Sequence, residues 1–240
     1  MVYSHHQKVR FIDMLILSSP PDGLPVDVEV EPKFGFPILP YVDKTFLTDQ
    51  LVPFNSLGRA EVRSETLAHF FKEDYKFASH LLDCDYYASK YLDMKGVISF
   101  DLTLGRGMHW IERLVKTKVA RQCAASLVSK GVNVVPLVSW VELSDFEFAM
   151  LGVADGSSVA VSNYGILSNP DLLEIFYEGL IFLAETYRPS GVLVYGKLEN
   201  RMLGKLSTLT HVVVSSPSSW RTTGNLITEH SQLTLLALDK

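Results

Sequence analysis

Three carboxylates, together with several hydroxyl, amide and aromatic side chains, stand where apolar runs give way to polar loops. Asp74 closes the stretch that begins at His69, Asp101 follows Val97-Ile-Ser-Phe, and Glu142 comes just after Trp140. Asn55, Ser139, Trp140, Ser162, Asn163, Tyr195 and Lys197 hold comparable places after other runs. Hydrolysis and group transfer need an acid, a base and a surface to hold the substrate, all meeting at one rim. Asp74, Asp101 and Glu142 are therefore the catalytic candidates. The others, with Arg106, are the ligand-binding ones.

The same residues have plainer uses, and both readings stay open here. Asp74 and Asp101 can divide acid and base roles or share a metal, or else cap helices and pair with cations. Trp140 can stack on a base or sugar, or close the core with its N–H bonded to a carbonyl. Ser139 lacks a GxSxG elbow and as a nucleophile would need His109 or His211 brought beside it by the fold. Arg106 lies between Gly105 and Gly107, either a loop that holds a phosphate or a flexible turn.

Elements must carry these residues to one place. Apolar runs near Phe36, Leu51, His69, Val97, Val132, Val159, Val192 and Val212 read as eight strands, the last five separated by helical stretches. Val132–Trp140 is nearly all apolar, as in a strand covered on both faces. The helix expected over Met108–Lys130 shows Ile111, Val115, Val119, Cys123 and Leu127 at helical spacing, with Arg113, Lys116, Lys118 and Arg121 opposite. Ser144, with Glu147 three positions on, suggests the cap of another helix, and Asn169-Pro170 the start of a third. In Phe77–Met94, Leu81, Leu82, Tyr86, Tyr87 and Tyr91 are the expected inward positions. The fold class is α/β, mostly parallel strands alternating with helices in an abbreviated TIM-barrel-like arrangement. An open doubly wound sheet is the alternative, and both place ligands at the carboxyl ends of the strands.

The chain of 240 residues, 47% hydrophobic, has enough apolar material for a full core. It reads as an extension over residues 1–33 and one α/β domain over 34–240. The net charge of −5 does not favour duplex nucleic acid. Two cysteines without a CxxC pair, an interrupted N-terminal apolar segment and no long apolar run point to a cytoplasmic protein with free thiols and no membrane span. His5-His6 has no third ligand nearby. No GxGxxG, HExxH or EF-hand pattern is present, and the sequence specifies neither a cofactor nor a metal.

Several ordered blocks carry a family resemblance: His69-Phe-Phe-Lys-Glu-Asp-Tyr, Lys95-Gly-Val-Ile-Ser-Phe-Asp, Val134-Val-Pro-Leu-Val-Ser-Trp, Ser144-Asp-Phe-Glu-Phe, Ser158-Val-Ala-Val-Ser and Gly191-Val-Leu-Val-Tyr-Gly. Over roughly residues 34–196 the chain resembles the phage and bacterial family called domain of unknown function 4417. The resemblance implies a phage or mobile-element setting, hence the host cytoplasm, and no particular activity. Two functions are carried forward. One is a hydrolase or transferase acting on a nucleotide-like or phosphorylated ligand. The other is a noncatalytic phage protein that binds a host factor or sequesters a small ligand.

Overall fold

The computed structural model describes residues 28–216; the expectations for residues 1–27 and for the tail after Trp220 lie outside that span. Seven short strands form where β-branched and other apolar residues run between turns. They are β1 (Leu51–Pro53), β2 (Leu67–His69), β3 (Gly96–Ile98), β4 (Val134–Val135), β5 (Val159–Ser162), β6 (Gly191–Tyr195) and β7 (His211–Ser215). The eighth expected strand, near Phe36, is absent. Pro37 makes only an isolated antiparallel bridge with Val30, and buried Phe36 packs with Leu114 and Phe148. Pro37 and Pro40 each lack the N–H that a ladder needs, which is why this apolar run packs without pairing.

These seven strands pair only in parallel among the described residues. β1 to β4 form one sheet in chain order, with Leu51 opposite Leu67, Leu67 opposite Gly96 and Val97 opposite Val134. β5 to β7 form a second, also in chain order, with Val159 opposite Val192 and Val192 opposite Val212. A single parallel bridge, Leu137 with Ala160, joins the two sheets, and Val138 N donates to Ala160 O over 2.9 Å beside it. Neither sheet reverses its strand order, so the described strands lack the switch point of a doubly wound sheet. Ser215 Oγ donates to Asp49 O (2.9 Å), bringing the end of β7 beside the entry to β1, although no backbone pairing of β7 with β1 occurs among the described residues.

Successive side chains on a strand face opposite ways. Leu51, Leu67, Ile98, Val135, Ala160 and Leu193 meet in one buried cluster. Their chain neighbours Val52, Ala68, Val97 and Val134 pack in a second cluster with Cys123 and Leu127. Val159, Val161, Val192 and Val194 pack with Phe176, Leu180 and Leu183. β1 to β6, covered on both faces, have little room to expose polar groups except at their ends, whereas β7 is half-buried along most of its length.

Among the described residues there are six α-helices, α1 (Ala78–Leu82), α2 (Cys84–Ala88), α3 (Trp110–Ser129), α4 (Phe146–Ala149), α5 (Pro170–Thr186) and α6 (Asn200–Ser207). α5 begins as its sequence implies, Asn169 Oδ1 accepting from Leu172 N (3.2 Å) with Pro170 in the first turn. The turn leading to α4 is capped differently from the Ser144–Glu147 reading. The box lies two residues earlier, with Glu142 as the cap and Asp145 three positions on, its carboxylate accepting from Val141 N (2.8 Å) and Glu142 N (3.3 Å). In the α1–α2 region Leu81 and Tyr91 are buried as expected, whereas Leu82 and Tyr86 are exposed.

The basic face of α3 also departs from expectation. Arg113, Lys116 and Arg121 are buried, while Ile111 and Trp110 in the first turn are about half exposed. The three cations point at the loops that follow the strands, and each meets oxygen there.

Candidate functional site

Loops after β3, β4 and β5, with the start of α5, enclose a cleft of about 410 Å³. This lies at the carboxyl ends of the strands, and its size falls in the usual range for small-ligand pockets, roughly 300–1,000 Å³. Asp101, Arg106, Ser139, Trp140 and Ser162 all line it. Thr103, Asn169 and an apolar wall of Ile166, Leu172, Ile175 and Phe176 line it too.

Asp101 is the acidic side chain of the cleft. It is half-buried, and among the described residues it makes no hydrogen bond or ion pair. Exclusion of solvent, and secondarily the negative charge of Asp74, push its carboxyl up to about 7. Both protonation states are therefore populated near neutrality, the condition for an acid–base group.

Asp74 lies beneath the cleft. It is buried, accepts from Thr103 N (3.1 Å) and Thr103 Oγ1 (2.8 Å), and has Lys116 Nζ at 3.7 Å. Lys116 also donates to Thr103 O (3.1 Å). Asp74 thus pins the loop that carries Asp101. Glu142 pairs with Arg113, which also donates through Nε to Asp145 (2.9 Å) and through Nη1 to Met108 O (2.8 Å). Arg121 donates to Leu137 O, Ala149 O and Leu151 O at 3.0–3.1 Å. Burial without a carboxylate beside it lowers its guanidinium to about 10. Three cations on one side of α3 therefore hold the loops that form the cleft, a role that periodicity alone, which assigns charges to solvent, does not reveal.

The remaining candidates do not line the cleft. Asn55 is exposed beyond β1. Asn163 is buried and clamps β5 to β6: its Nδ2 donates to Lys197 O (2.6 Å) and its Oδ1 accepts from Lys197 N (3.1 Å). Gly196 sits under this clamp at φ +141°, and a Cβ there would come within 1.9 Å of Asn163 Oδ1. The Lys197 side chain is exposed, so its part in the clamp is through its backbone. Tyr195 points into the inner cluster, stacked on Phe71 (4.3 Å between centroids) and 4.7 Å from the His69 ring.

Trp140 has a wall role. Its Nε1 donates to Ile175 O (3.3 Å) and its ring stacks on Phe176 at 5.4 Å. Ser139 has no histidine beside it in the cleft. His109 caps α3, its Nδ1 accepting from Ile111 N, and His211 opens β7 at the opposite end of that strand. Desolvation lowers buried His69 to about 3, with Lys72 adding a smaller effect, so it is neutral; its Nδ1 accepts from Phe71 N (3.2 Å). Among the described residues no three His, Cys, Asp or Glu side chains are grouped to hold a metal ion. Cys84 and Cys123 are free and buried. No helix among the described residues is long and apolar enough to cross a membrane.

Fold and cleft together define an α/β protein of parallel sheets and helices with a small-ligand-sized cleft at the strand ends. The chain belongs to the family described as Domain of unknown function (DUF4417), whose model matches residues 28–213. It is similar to the Gene 1 protein of Mycobacterium phage L5, 30% identical over 132 residues, 55% of this chain and 58% of that protein. The Gene 1 protein of Mycobacterium phage D29 is 28% identical over 130 residues, 54% of this chain and 48% of that protein. The match spans about half the length of these curated phage relatives. No solved structure matches the chain.

Proposed function

We propose that the cleft is the active site of a hydrolase or transferase acting on a nucleotide-like or phosphorylated ligand, with Asp101 as its acid–base group. The observation that carries this reading is an unpaired carboxyl on the wall of a ligand-sized cleft, its pKa raised to about 7. Deprotonated, it takes the proton of an attacking water or hydroxyl as the new bond forms. It then returns that proton to the leaving oxygen as the old bond breaks. Arg106 supplies the countercharge for a phosphate, and the hydroxyls of Ser139 and Ser162 offer donors to other ligand oxygens. Asp74 and Glu142 act through position: Asp74 holds the Thr103 loop, and Glu142 neutralises Arg113.

The chain-ordered strands and the contact of Ser215 with Asp49 support reading the fold as an abbreviated TIM-barrel-like domain over residues 34–240. Phage relatives support a setting in the host cytoplasm.

The test is a turnover screen of nucleotides and phosphoesters with the full chain and Asp101→Asn. Loss of acid–base catalysis lowers turnover about 10²–10⁴-fold. The variant should show that loss while its circular dichroism is unchanged. Full activity in the variant refutes the assignment. Nucleotide binding without turnover in either protein would leave a sequestering protein as the better reading.

A further inference from the structure

The charge balance of the cleft narrows its ligand. Arg106 is the sole cationic side chain lining it among the described residues, and it is exposed. The cations behind the loops are committed elsewhere: Lys116 to Thr103 O with Asp74 nearby, Arg113 to Asp145 and Glu142, and Arg121 to three carbonyls. One guanidinium, with five donors in a planar fork, matches one phosphate. A triphosphate carries several more negative charges, which phosphate-transfer sites answer with Mg²⁺ and additional cations. A magnesium ion would find one carboxylate here, Asp101, since Asp74 is buried against Thr103 and Lys116.

The opposite requirement comes from α5. Ile166, Leu172, Ile175 and Phe176 present apolar surface to the cleft, and Trp140 backs it through its stack on Phe176. Such a wall favours a flat or apolar body over a free sugar phosphate, whose hydroxyls would lose water there without matching partners.

We infer that the cleft takes a phosphomonoester with an aromatic or apolar body, of nucleoside monophosphate type. Its single phosphate sits at Arg106 and its body lies on the Ile166–Phe176 wall. Nucleoside triphosphates are disfavoured by the missing countercharge. This rests on the cleft being the ligand site proposed above, and it concerns binding, so it can be tested without turnover.

The experiment is calorimetric titration of the full chain and of Arg106→Ala with AMP, UMP, adenosine, ATP, ribose 5-phosphate and inorganic phosphate. The expected result is that a monophosphate binds at least about 10-fold tighter than adenosine, ATP, ribose 5-phosphate or phosphate alone. Arg106→Ala should remove that advantage while leaving adenosine binding unchanged. Arg106 is exposed and makes no hydrogen bond or ion pair among the described residues, so this variant should keep the wild-type melting temperature. ATP binding as tightly as the monophosphates overturns the inference, as does an Arg106→Ala variant with undiminished monophosphate affinity. Ribose 5-phosphate equal to the nucleotides overturns the part played by the apolar wall, and silence from every probe overturns the whole. Monophosphate selectivity combined with an Asp101→Asn variant of full activity refutes the catalytic reading and upholds this one. Turnover confined to triphosphates and lost in Asp101→Asn does the reverse.

Discussion

Asp101 gives the cleft its chemical character, and its stability cost can be measured. In the native state its carboxyl keeps a proton up to about 7, whereas an unfolded aspartate releases it near 3.8. Between those values the native protein binds more protons than the unfolded chain, so this residue's contribution falls as pH rises through the window. The loss is on the order of 4 kcal/mol once complete. Asp101→Asn cannot ionise, so urea denaturation should find it more stable than the wild type at pH 8, with the gap closing at pH 4. A variant no more stable at pH 8 would contradict the burial argument. His69 acts in the opposite direction. Held neutral, with its pKa lowered to about 3, it contributes stability above the unfolded value of 6.5 that is lost as pH falls below it. That contribution is common to both proteins and cancels in the comparison.

At the scale of elements, α3 is the part whose role was least readable. Its apolar spacing implies a helix, and a helix forms over nearly the expected span, but Arg121 and Lys116 face inward because loop carbonyls and Asp74 await them. Sequence periodicity carries no information about oxygens contributed by residues 13 to 42 positions away. Arg121→Ala would leave three carbonyls, two of them fully buried, without this donor, and urea denaturation should show a loss of about 3 kcal/mol or more. A loss within 0.5 kcal/mol, typical of a surface site, would contradict the role given to this side chain. The α5 start at Asn169-Pro170 was legible because a cap is a local device. The α4 cap was not, because Ser144–Glu147 and Glu142–Asp145 both have the three-residue spacing of a capping box and only the fold decides which one forms. α5 also carries Gly179, where a Cβ would meet Trp140 Nε1 at 2.1 Å. Gly179→Ala should displace the indole, destabilise the protein by about 1–3 kcal/mol and alter tryptophan fluorescence; an unchanged spectrum would contradict the packing described for Trp140.

For the whole molecule, chain-ordered parallel strands explain which parts of the site could be foreseen. The rule that ligands gather at the carboxyl ends of parallel strands leads to Asp101, Arg106, Ser139, Trp140 and Ser162, which share the cleft. It does not tell which way an end residue points. Tyr195 and Asn163 both come from strand ends, yet one enters the inner cluster and the other clamps a neighbouring strand. The Phe36 run shows the same gap at larger scale, an apolar segment whose prolines exclude it from the sheet. Membership of a family described as a domain of unknown function supplies no activity, so the account rests on the cleft. Its most direct test is the titration of the Asp101 carboxyl carbon by NMR in the full chain, assigned by its absence in Asp101→Asn. The expected midpoint is near 7, moving down in Asp74→Asn as the neighbouring negative charge is removed. A midpoint near 4, unmoved by Asp74→Asn, would contradict the central claim that this cleft holds a proton-exchanging carboxyl.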